Sequence, residues 1–508
     1  MKTISKQSIY FILLLSGYFI LQFQELLFRM PSGIHEWAQG DRLSLAYGFY
    51  DNGLNFFKPA TLSQFSKDGI VGVEFPIQAY ITAVLAKIFG KAHIVLIFRL
   101  LDTLIVGTCL FILFKIALSF TRNFWLAALP ATVLLISPSF LDYTCNFMPD
   151  PVAAAIVSVG LGFYLQCWLQ NRPGRRYIAL LCCILATLIK TSCGVYLIGV
   201  LAFDTYLFVT RFKNRRLLKT NLIVFYYLLA FAGFAIIYFY YQYNKYLNGK
   251  YDSSLFLLNI RPMDKGSLFS FLGNRLPKSW MKEYFIIPAY FFFAFAFIPL
   301  YFKKMKYKQE IMIFLGILFA GILGVSYLLG AQFTDHDYYI IPIFFPFLVL
   351  HAFWFVIYIE NSSVKFYSKK VFLATITGLL LSISYFKTQQ RLSPDYPGFS
   401  DYYNTKWMSN GAAVLDSLGI SDQAHIGILN ESPPNLSLLY FNRKGYAINK
   451  AWWVERFESA NHFFGQRGLE YGICQRSEFN RIILSDASYN NYFRTIYANN
   501  DFIVFTVK

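Results

Sequence analysis

The chain has 508 residues, of which 56% are hydrophobic, 20% aromatic and only 15% charged, and its formal net charge is +18. Soluble domains carry about 25% charged residues, and one core cannot bury this much apolar surface. The composition excludes a disordered, fibrous or disulfide-stapled protein, argues against a soluble globule, and predicts an α-helical polytopic membrane protein.

The first apolar run, about 8–28, follows a short segment containing Lys2 and Lys6, and no small-residue cleavage site comes after it. It predicts an anchor and not a removed signal peptide. Residues 29–93 form a long first loop. Within it, residues 35–52 predict a short helix closed by Gly53. Residues 74–89 predict a second helix, with Ile77, Tyr80, Ile81, Val84, Leu85 and Ile88 on one face and Gly90 after it. Both are expected to lie along the membrane surface.

Further apolar runs fall at about 94–120, 124–141, 150–170, 177–210, 220–243, 284–302, 310–330, 339–360 and 371–386. A helix needs about 20 residues to cross a bilayer, so the 177–210 run is long enough for two short spans that turn near Lys190. Beyond Phe386 the apolar runs shorten and Asn, Asp, Ser and Gly become frequent. Strands are expected at 425–430, 445–449, 470–475 and 501–507, with helices at 404–418 and 453–465. The expected organisation is a transmembrane domain over 1–386 and a small α/β domain over 387–508.

The charge reports topology. Six short connectors (1–7, 121–123, 171–176, 211–219, 303–309 and 361–370) hold eighteen Lys and Arg between them and no acidic residue. They account for the whole surplus, as the positive-inside rule predicts for cytoplasmic loops. A nucleic-acid partner is therefore not expected. If all six are cytoplasmic, parity gives about eleven transmembrane helices. The N-terminus is then inside, and the first loop and the C-terminal α/β domain are extracytoplasmic. Seven cysteines without a CxxC pair lie mostly in apolar runs, so no disulfide framework or zinc site is expected.

This topology gathers polar groups on the outer side. The first loop contributes His35, Glu36, Gln39, Asp41, Arg42 and Glu74, and the turn at 141–151 contributes Asp142, Asn146 and Asp150. The 177–210 turn contributes Lys190, and the 331–339 turn contributes Asp335, His336, Asp337, Tyr338 and Tyr339. Such residues suit glycosyl transfer from a lipid phosphate. A carboxylate can take the proton of an acceptor hydroxyl, and cations can stabilise the departing phosphate. Each group also has a plainer role. Glu36 and Asp41 can cap or solvate a helix, and at five positions apart they point about 140° away from each other. Glu74 suits a helix N-terminus through the dipole, Asp150 suits an N-cap, and Lys190 can snorkel.

Several ordered motifs carry a resemblance. They are His35-Glu36-Trp37-Ala38-Gln39, then Gly72-Val73-Glu74-Phe75-Pro76 with Tyr80, and Phe98-Arg99-Leu100-Leu101. Next come Ser137-Pro138 with Met148-Pro149-Asp150, then Ile189-Lys190-Thr191, and Asp335-His336-Asp337-Tyr338-Tyr339 with Pro342. Over about 30–390 the chain resembles the type C membrane glycosyltransferase superfamily. Within it, the likeness is to the bacterial branch of aminoarabinose transferase and the protein O-mannosyltransferases.

The resemblance implies an inverting glycosyltransferase, multi-pass in a bacterial inner membrane. It would move a sugar from a polyprenyl-phosphate donor to a glycan, lipid or protein acceptor on the outer side. Glu36 or Asp41 is then the base. Glu74, Arg42, Lys58, Arg99, Asp150, Lys190, His336, Asp337 and Tyr338 are candidates for substrate binding. Glu74 and His336 are the candidate ligands of a divalent metal. Where the family carries Asp-Glu, this chain has His35-Glu36: either Glu36 acts alone or the register shifts by one. Two other roles are open. A non-catalytic glycan-assembly subunit fits the His35 departure. A lipid-linked glycan transporter or flippase would need polar mid-membrane groups and repeats, whereas the spans are mostly apolar inside, apart from Asp102 and Asp204, and no repeat is seen.

Overall fold

The computed structural model describes residues 5–211, 220–257, 260–304, 307–334, 336–362, 370–396, 405–449 and 456–508. Asp335, much of the basic connectors at 211–219 and 361–370, and residues 453–455 of an expected helix lie outside them. The chain divides into two compact units. One comprises residues 1–27, 99–242 and 259–400, and the other residues 28–98, 243–258 and 401–508. Much of the first loop thus packs with the C-terminal residues as one unit.

A helix stands at each apolar run. In chain order these are α1 (Lys6–Phe23), α2 (Glu36–Asp51), α3 (Ile77–Phe89), α4 (Ile94–Leu118), α5 (Phe124–Leu135), α6 (Pro138–Thr144), α7 (Pro149–Leu169), α8 (Arg175–Ile189), α9 (Gly194–Arg211) and α10 (Thr220–Tyr251). Later helices span Ile287–Phe297, Lys308–Leu328, Ile340–Glu360 and Lys370–Arg391. Among the described residues eight helices are long and apolar enough to cross a membrane, and a ninth crossing follows if the bent pair α5–α6 counts as one. The protein is an integral, multi-pass membrane protein. The expected count of eleven differs because two helices are short. At 1.5 Å per residue, the 15 residues of α8 reach roughly 22 Å, less than a hydrocarbon core of roughly 30 Å. The 287–301 helix is also below spanning length.

The helical unit is organised around α7, which is buried along most of its length. It packs against α8 and the Ile340–Glu360 helix. Small residues permit this approach, as lipid gives helices little hydrophobic drive to associate. A Cβ on Gly160 would lie 2.9 Å from Cys182 Cβ, and one on Gly162 would lie 3.1 Å from Ile116. Asp204, one of the two acids noted inside the spans, is tied within the same unit. It pairs with Arg176 at 3.2 Å and accepts from Tyr164 Oη at 2.7 Å. Asp204 on α9 thereby ties α7 and α8 together.

The other unit contains α2, α3 and a five-stranded sheet. Its strands are β1 (His425–Leu429), β2 (Lys444–Ile448), β3 (Tyr471–Gln475), β4 (Phe493–Ala498) and β5 (Phe502–Val507). Their order is β2-β1-β3-β5-β4. β1 runs parallel to β2 and β3, and β5 runs antiparallel to β3 and β4. The four expected strands are present, and β4 is an addition. The helices Gly411–Ser417 and Phe457–Arg467 fall within the expected 404–418 and 453–465 segments, give or take two residues. Phe457, Phe464, Phe479, Phe493 and Phe505 centre the core beneath the sheet.

A test of the tight helix packing is Gly160→Leu, whose side chain must displace Cys182. Overpacking of this kind costs about 1–3 kcal/mol, so thermal unfolding in detergent should begin at lower temperature. Gly316→Leu is the control, because a Cβ there meets nothing within 4 Å, and it should leave the transition in place.

Candidate functional site

The sequence residues fall into two constellations, one in each unit. In the first, α2 starts at Glu36 directly after His35, which adopts a left-handed conformation (φ 52°). Glu36 and Asp41 are both buried. Positions 40, 44 and 48 share a helix face and are small. A Cβ on Gly40 would lie 3.3 Å from Leu436, and one on Gly48 would collide with the Ala60 carbonyl. Between them Ser44 Oγ donates to Asn435 Oδ1 at 2.9 Å and accepts from Leu62 N–H at 2.8 Å. Ser63 N–H also donates to Asn435 Oδ1, at 3.0 Å. With its oxygen taken by two donors, the Asn435 amide must turn its nitrogen toward α2. There Nδ2 donates to Asp41 Oδ1 at 2.8 Å.

Asp41 therefore faces an amide as well as the neighbouring Arg42. Burial wins over both, and lifts its carboxyl from the ordinary 3.8 to about 7, with Asn435 and Arg42 opposing the rise. Glu74 has a different environment. Arg42 Nη2 lies 2.6 Å from Glu74 Oε2, with its guanidinium 5.0 Å from the Phe256 ring centroid. The backbone leading to Glu74 is held by two residues one turn apart on α10. Asn248 Oδ1 accepts from Gly72 N–H at 2.7 Å, and Asn244 Oδ1 accepts from Val73 N–H at 2.9 Å.

The second constellation lies in the helical unit. Lys190 breaks the chain between α8 and α9 in extended conformation, and Asp150 occupies the first turn of α7. Lys190 Nζ lies 3.2 Å from Asp150 Oδ1, and both side chains are buried. The ammonium sits 4.4 Å from the Tyr339 ring centroid and 5.7 Å from that of Tyr338. Ring contacts of 5.2 and 5.7 Å place His336 against the same two tyrosines. Beside this aromatic group lies a hub that the sequence did not disclose. Buried Arg391 reaches Asp142 at 2.6 Å, Asp337 at 2.7 Å and Glu283 at 3.0 Å, and donates to Tyr143 Oη at 2.8 Å.

The structure thus brings Glu36, Asp41, Arg42 and Glu74 into one unit, and Lys190, Asp150, His336, Tyr338 and Asp337 into the other. Two candidates have more structural surroundings than expected. Asp337 is a partner of Arg391. Arg99 is buried, donates to the Cys145 carbonyl and to Asn146 Oδ1, and stacks 4.3 Å from the Phe147 ring. It fixes the turn ahead of Asp150, where Phe147 takes φ 65°. Lys58 is exposed and lines a cleft of its own. Asn435, Arg391 and Glu283 were missed by sequence reasoning. Only the spacing Gly40-Ser44-Gly48 hinted that α2 is packed on more than one side.

A family model described as dolichyl-phosphate-mannose-protein mannosyltransferase matches residues 74–239. Among solved structures, ArnT from Cupriavidus metallidurans, crystallised bound to undecaprenyl phosphate, is similar with a TM-score of 0.59 and 12% identity. The likeness covers 98% of this chain and 97% of that one. An Archaeoglobus fulgidus oligosaccharyltransferase, solved with zinc and sulfate, is similar with a TM-score of 0.50 and 12% identity, over 98% of this chain and 73% of that one. No curated protein sequence matches the chain. The chain therefore shares the fold of ArnT over nearly its whole length.

Two stability measurements follow from these contacts. Arg391→Met removes the guanidinium that Asp142, Asp337 and Glu283 share, and breaking a single buried pair already costs about 3–5 kcal/mol. The variant should lose cooperative unfolding or unfold far below the parent, and an unchanged transition would refute the hub. Asp41 holds a proton in the folded state between about 4 and 7 that the unfolded chain has released. Its stabilising contribution is full below its unfolded pKa and is lost as pH rises through about 7. Asp41→Asn should therefore raise the unfolding temperature at pH 8 and leave it unchanged at pH 3.

Proposed function

We propose that the protein is an inverting glycosyltransferase. It moves a sugar from a polyprenyl-phosphate donor to a glycan, lipid or protein acceptor on the outer side of a bacterial inner membrane. The supporting observation is where the family match falls: residues 74–239 include Glu74, Arg99, Asp150 and Lys190, so the likeness runs through the residues with the right chemistry.

In this proposal an acceptor hydroxyl attacks the anomeric carbon of the donor while its proton passes to Asp41. The bond from that carbon to the phosphate oxygen breaks, its electron pair stays on the phosphate, and the configuration inverts. A base with pKa near the working pH is effective, and Asp41 at about 7 fits that need. Glu36, buried in the first turn of the same helix, is the other carboxylate of the motif. Among the cations of the ordered motifs, Lys190 is the candidate for the phosphate, whose charge grows as the bond breaks. Arg42 orients Glu74, and Arg99 positions the turn that leads to Asp150. Glu74 and His336 fit poorly as a metal pair. Glu74 is engaged by Arg42, and among the described residues no three His, Cys, Asp or Glu side chains converge on a metal position. No step is routed through a metal.

The test is transfer of labelled sugar from polyprenyl-phosphate donors by the full-length protein in detergent. Asp41→Asn should lower kcat at least about 100-fold, with Glu36→Gln measured beside it. The parent kcat/KM should climb tenfold per pH unit below about 7 and level off above it. Undiminished transfer by Asp41→Asn would remove Asp41 as the base. Absence of turnover with every donor would favour the assembly-subunit role.

A further inference from the structure

The unit that contains α2 and the sheet holds a cleft that the transfer chemistry does not use. Its volume is about 360 Å³, and Asn52, Asn55, Lys58, Gln64, His425 and Lys444 line it together with Asp68 and Ile70. The size falls in the range of small-ligand sites, roughly 300–1,000 Å³.

The cleft is preformed. Gln64 N–H donates to the Gly445 carbonyl at 2.8 Å, and Gly445 N–H donates to the Leu62 carbonyl at 3.1 Å. These bonds fasten the loop to β2. A Cβ at Gly445 would collide with the Ile426 carbonyl, so glycine is required for the close approach. Lys444 Nζ is steadied by Asn52 Oδ1 at 3.2 Å, and Asn55 Oδ1 accepts from Phe57 N–H at 3.1 Å. His425 and Lys444 are register partners on the parallel strands β1 and β2. Partial burial and the Lys444 charge lower the imidazole pKa, so His425 is neutral at pH 7 and offers one donor and one acceptor.

The side-chain inventory selects the ligand class. Asn52 and Asn55, whose oxygens already accept from Lys444 and Phe57, offer amide N–H donors, and Gln64, whose nitrogen donates to the Leu62 carbonyl at 3.3 Å, offers an acceptor, a mixed set that suits adjacent sugar hydroxyls. Two ammonium groups outnumber the single carboxylate of Asp68, so an anionic substituent is favoured. Ile70 is the one apolar side chain of the lining, too little for a lipid tail or an apolar peptide.

We propose that this cleft binds an anionic saccharide, with its acidic group on Lys58 and Lys444 and its hydroxyls on Asn52, Asn55 and Gln64. The role of that saccharide as part of an acceptor glycan rests on the transferase function proposed above; the binding itself does not.

The experiment is titration of the full-length protein in detergent with glucuronic acid, glucose 6-phosphate, glucose and acetate, followed by saturation-transfer NMR. At least one of the two acidic sugars should bind saturably, and glucose and acetate should each bind about tenfold more weakly or not at all. The tighter of the two acidic sugars distinguishes a carboxylate from a phosphate substituent. Lys58→Gln with Lys444→Gln should weaken that sugar about tenfold or more, and Asn55→Ala with Gln64→Ala should bring it close to acetate. Asp41→Asn should bind it as the parent does. Acetate binding as tightly as both acidic sugars, absence of binding, or an undiminished affinity in the double lysine variant would each overturn the proposal. Transfer that fails with every donor while the acidic sugar still binds would overturn the transferase function alone.

Discussion

A single guanidinium holds the polar end of the helical unit together. Arg391 ends the Lys370–Arg391 helix and meets carboxylates from three other segments: Asp142 on α6, Glu283 ahead of the Ile287–Phe297 helix, and Asp337 just before Ile340–Glu360. An isolated carboxylate at such depth would be prohibitively costly or would take up a proton. A planar fork with five donors can serve three carboxylates and a phenol at once; an ammonium presents three donors from one point. Lys387 adds a second cation, 3.1 Å from Glu283. The consequence reaches the aromatic group. Fixing Asp337 fixes the next two residues, Tyr338 and Tyr339, whose rings lie beside Lys190.

The other unit shows the opposite use of burial. Asp41 and Glu74 are both carboxylates of the first loop, but their partners differ. Arg42 supplies Glu74 with a charge at 2.6 Å, so ionisation is compensated where it occurs. Asp41 receives a neutral amide at 2.8 Å and feels Arg42 only as a weaker influence, so desolvation dominates and its carboxyl rises to about 7. Two acids of one loop thus meet different partners, and for Asp41 burial outweighs what its partners supply. The orientation of Asn435 decides this, and Ser44 and Ser63 decide the orientation of Asn435.

Much of this architecture is legible in the sequence, because it follows from short-range physics. Apolar runs, basic connectors and the glycines after 52 and 89 mark helices that the structure places within a few residues. The strands β1, β2, β3 and β5 are apolar runs between polar turns. β4 was not legible: its burial pattern is mostly exposed, so Phe493–Ala498 lacks the alternation of a half-buried strand, and only pairing with β5 fixes it. Short α8 was legible as apolar but not as too short to span. Within the sites, the Arg42–Glu74 and Lys190–Asp150 pairs join residues 32 and 40 positions apart. Their members were visible as candidates, while their pairing was not. Arg391 sits at the end of an apolar helix 249 residues from Asp142, and no spacing rule links such positions.

The buried cations of the helical unit also differ in what they can release. Arg99 and Arg391 each engage two or more protein acceptors through a rigid fork. Exchanging those contacts for a ligand would leave several buried acceptors without compensation, each at a cost of about 1–3 kcal/mol or more. Lys190 is a compact charge on a flexible stem, facing Asp150 at 3.2 Å and two aromatic rings. A phosphate arriving beside it needs only a small movement of the ammonium, and the rings tolerate that movement because their attraction for a cation is weakly directional. Of these three cations Lys190 alone carries its charge on a flexible stem, and that difference is why the proposed transfer assigns the phosphate to it rather than to Arg99 or Arg391.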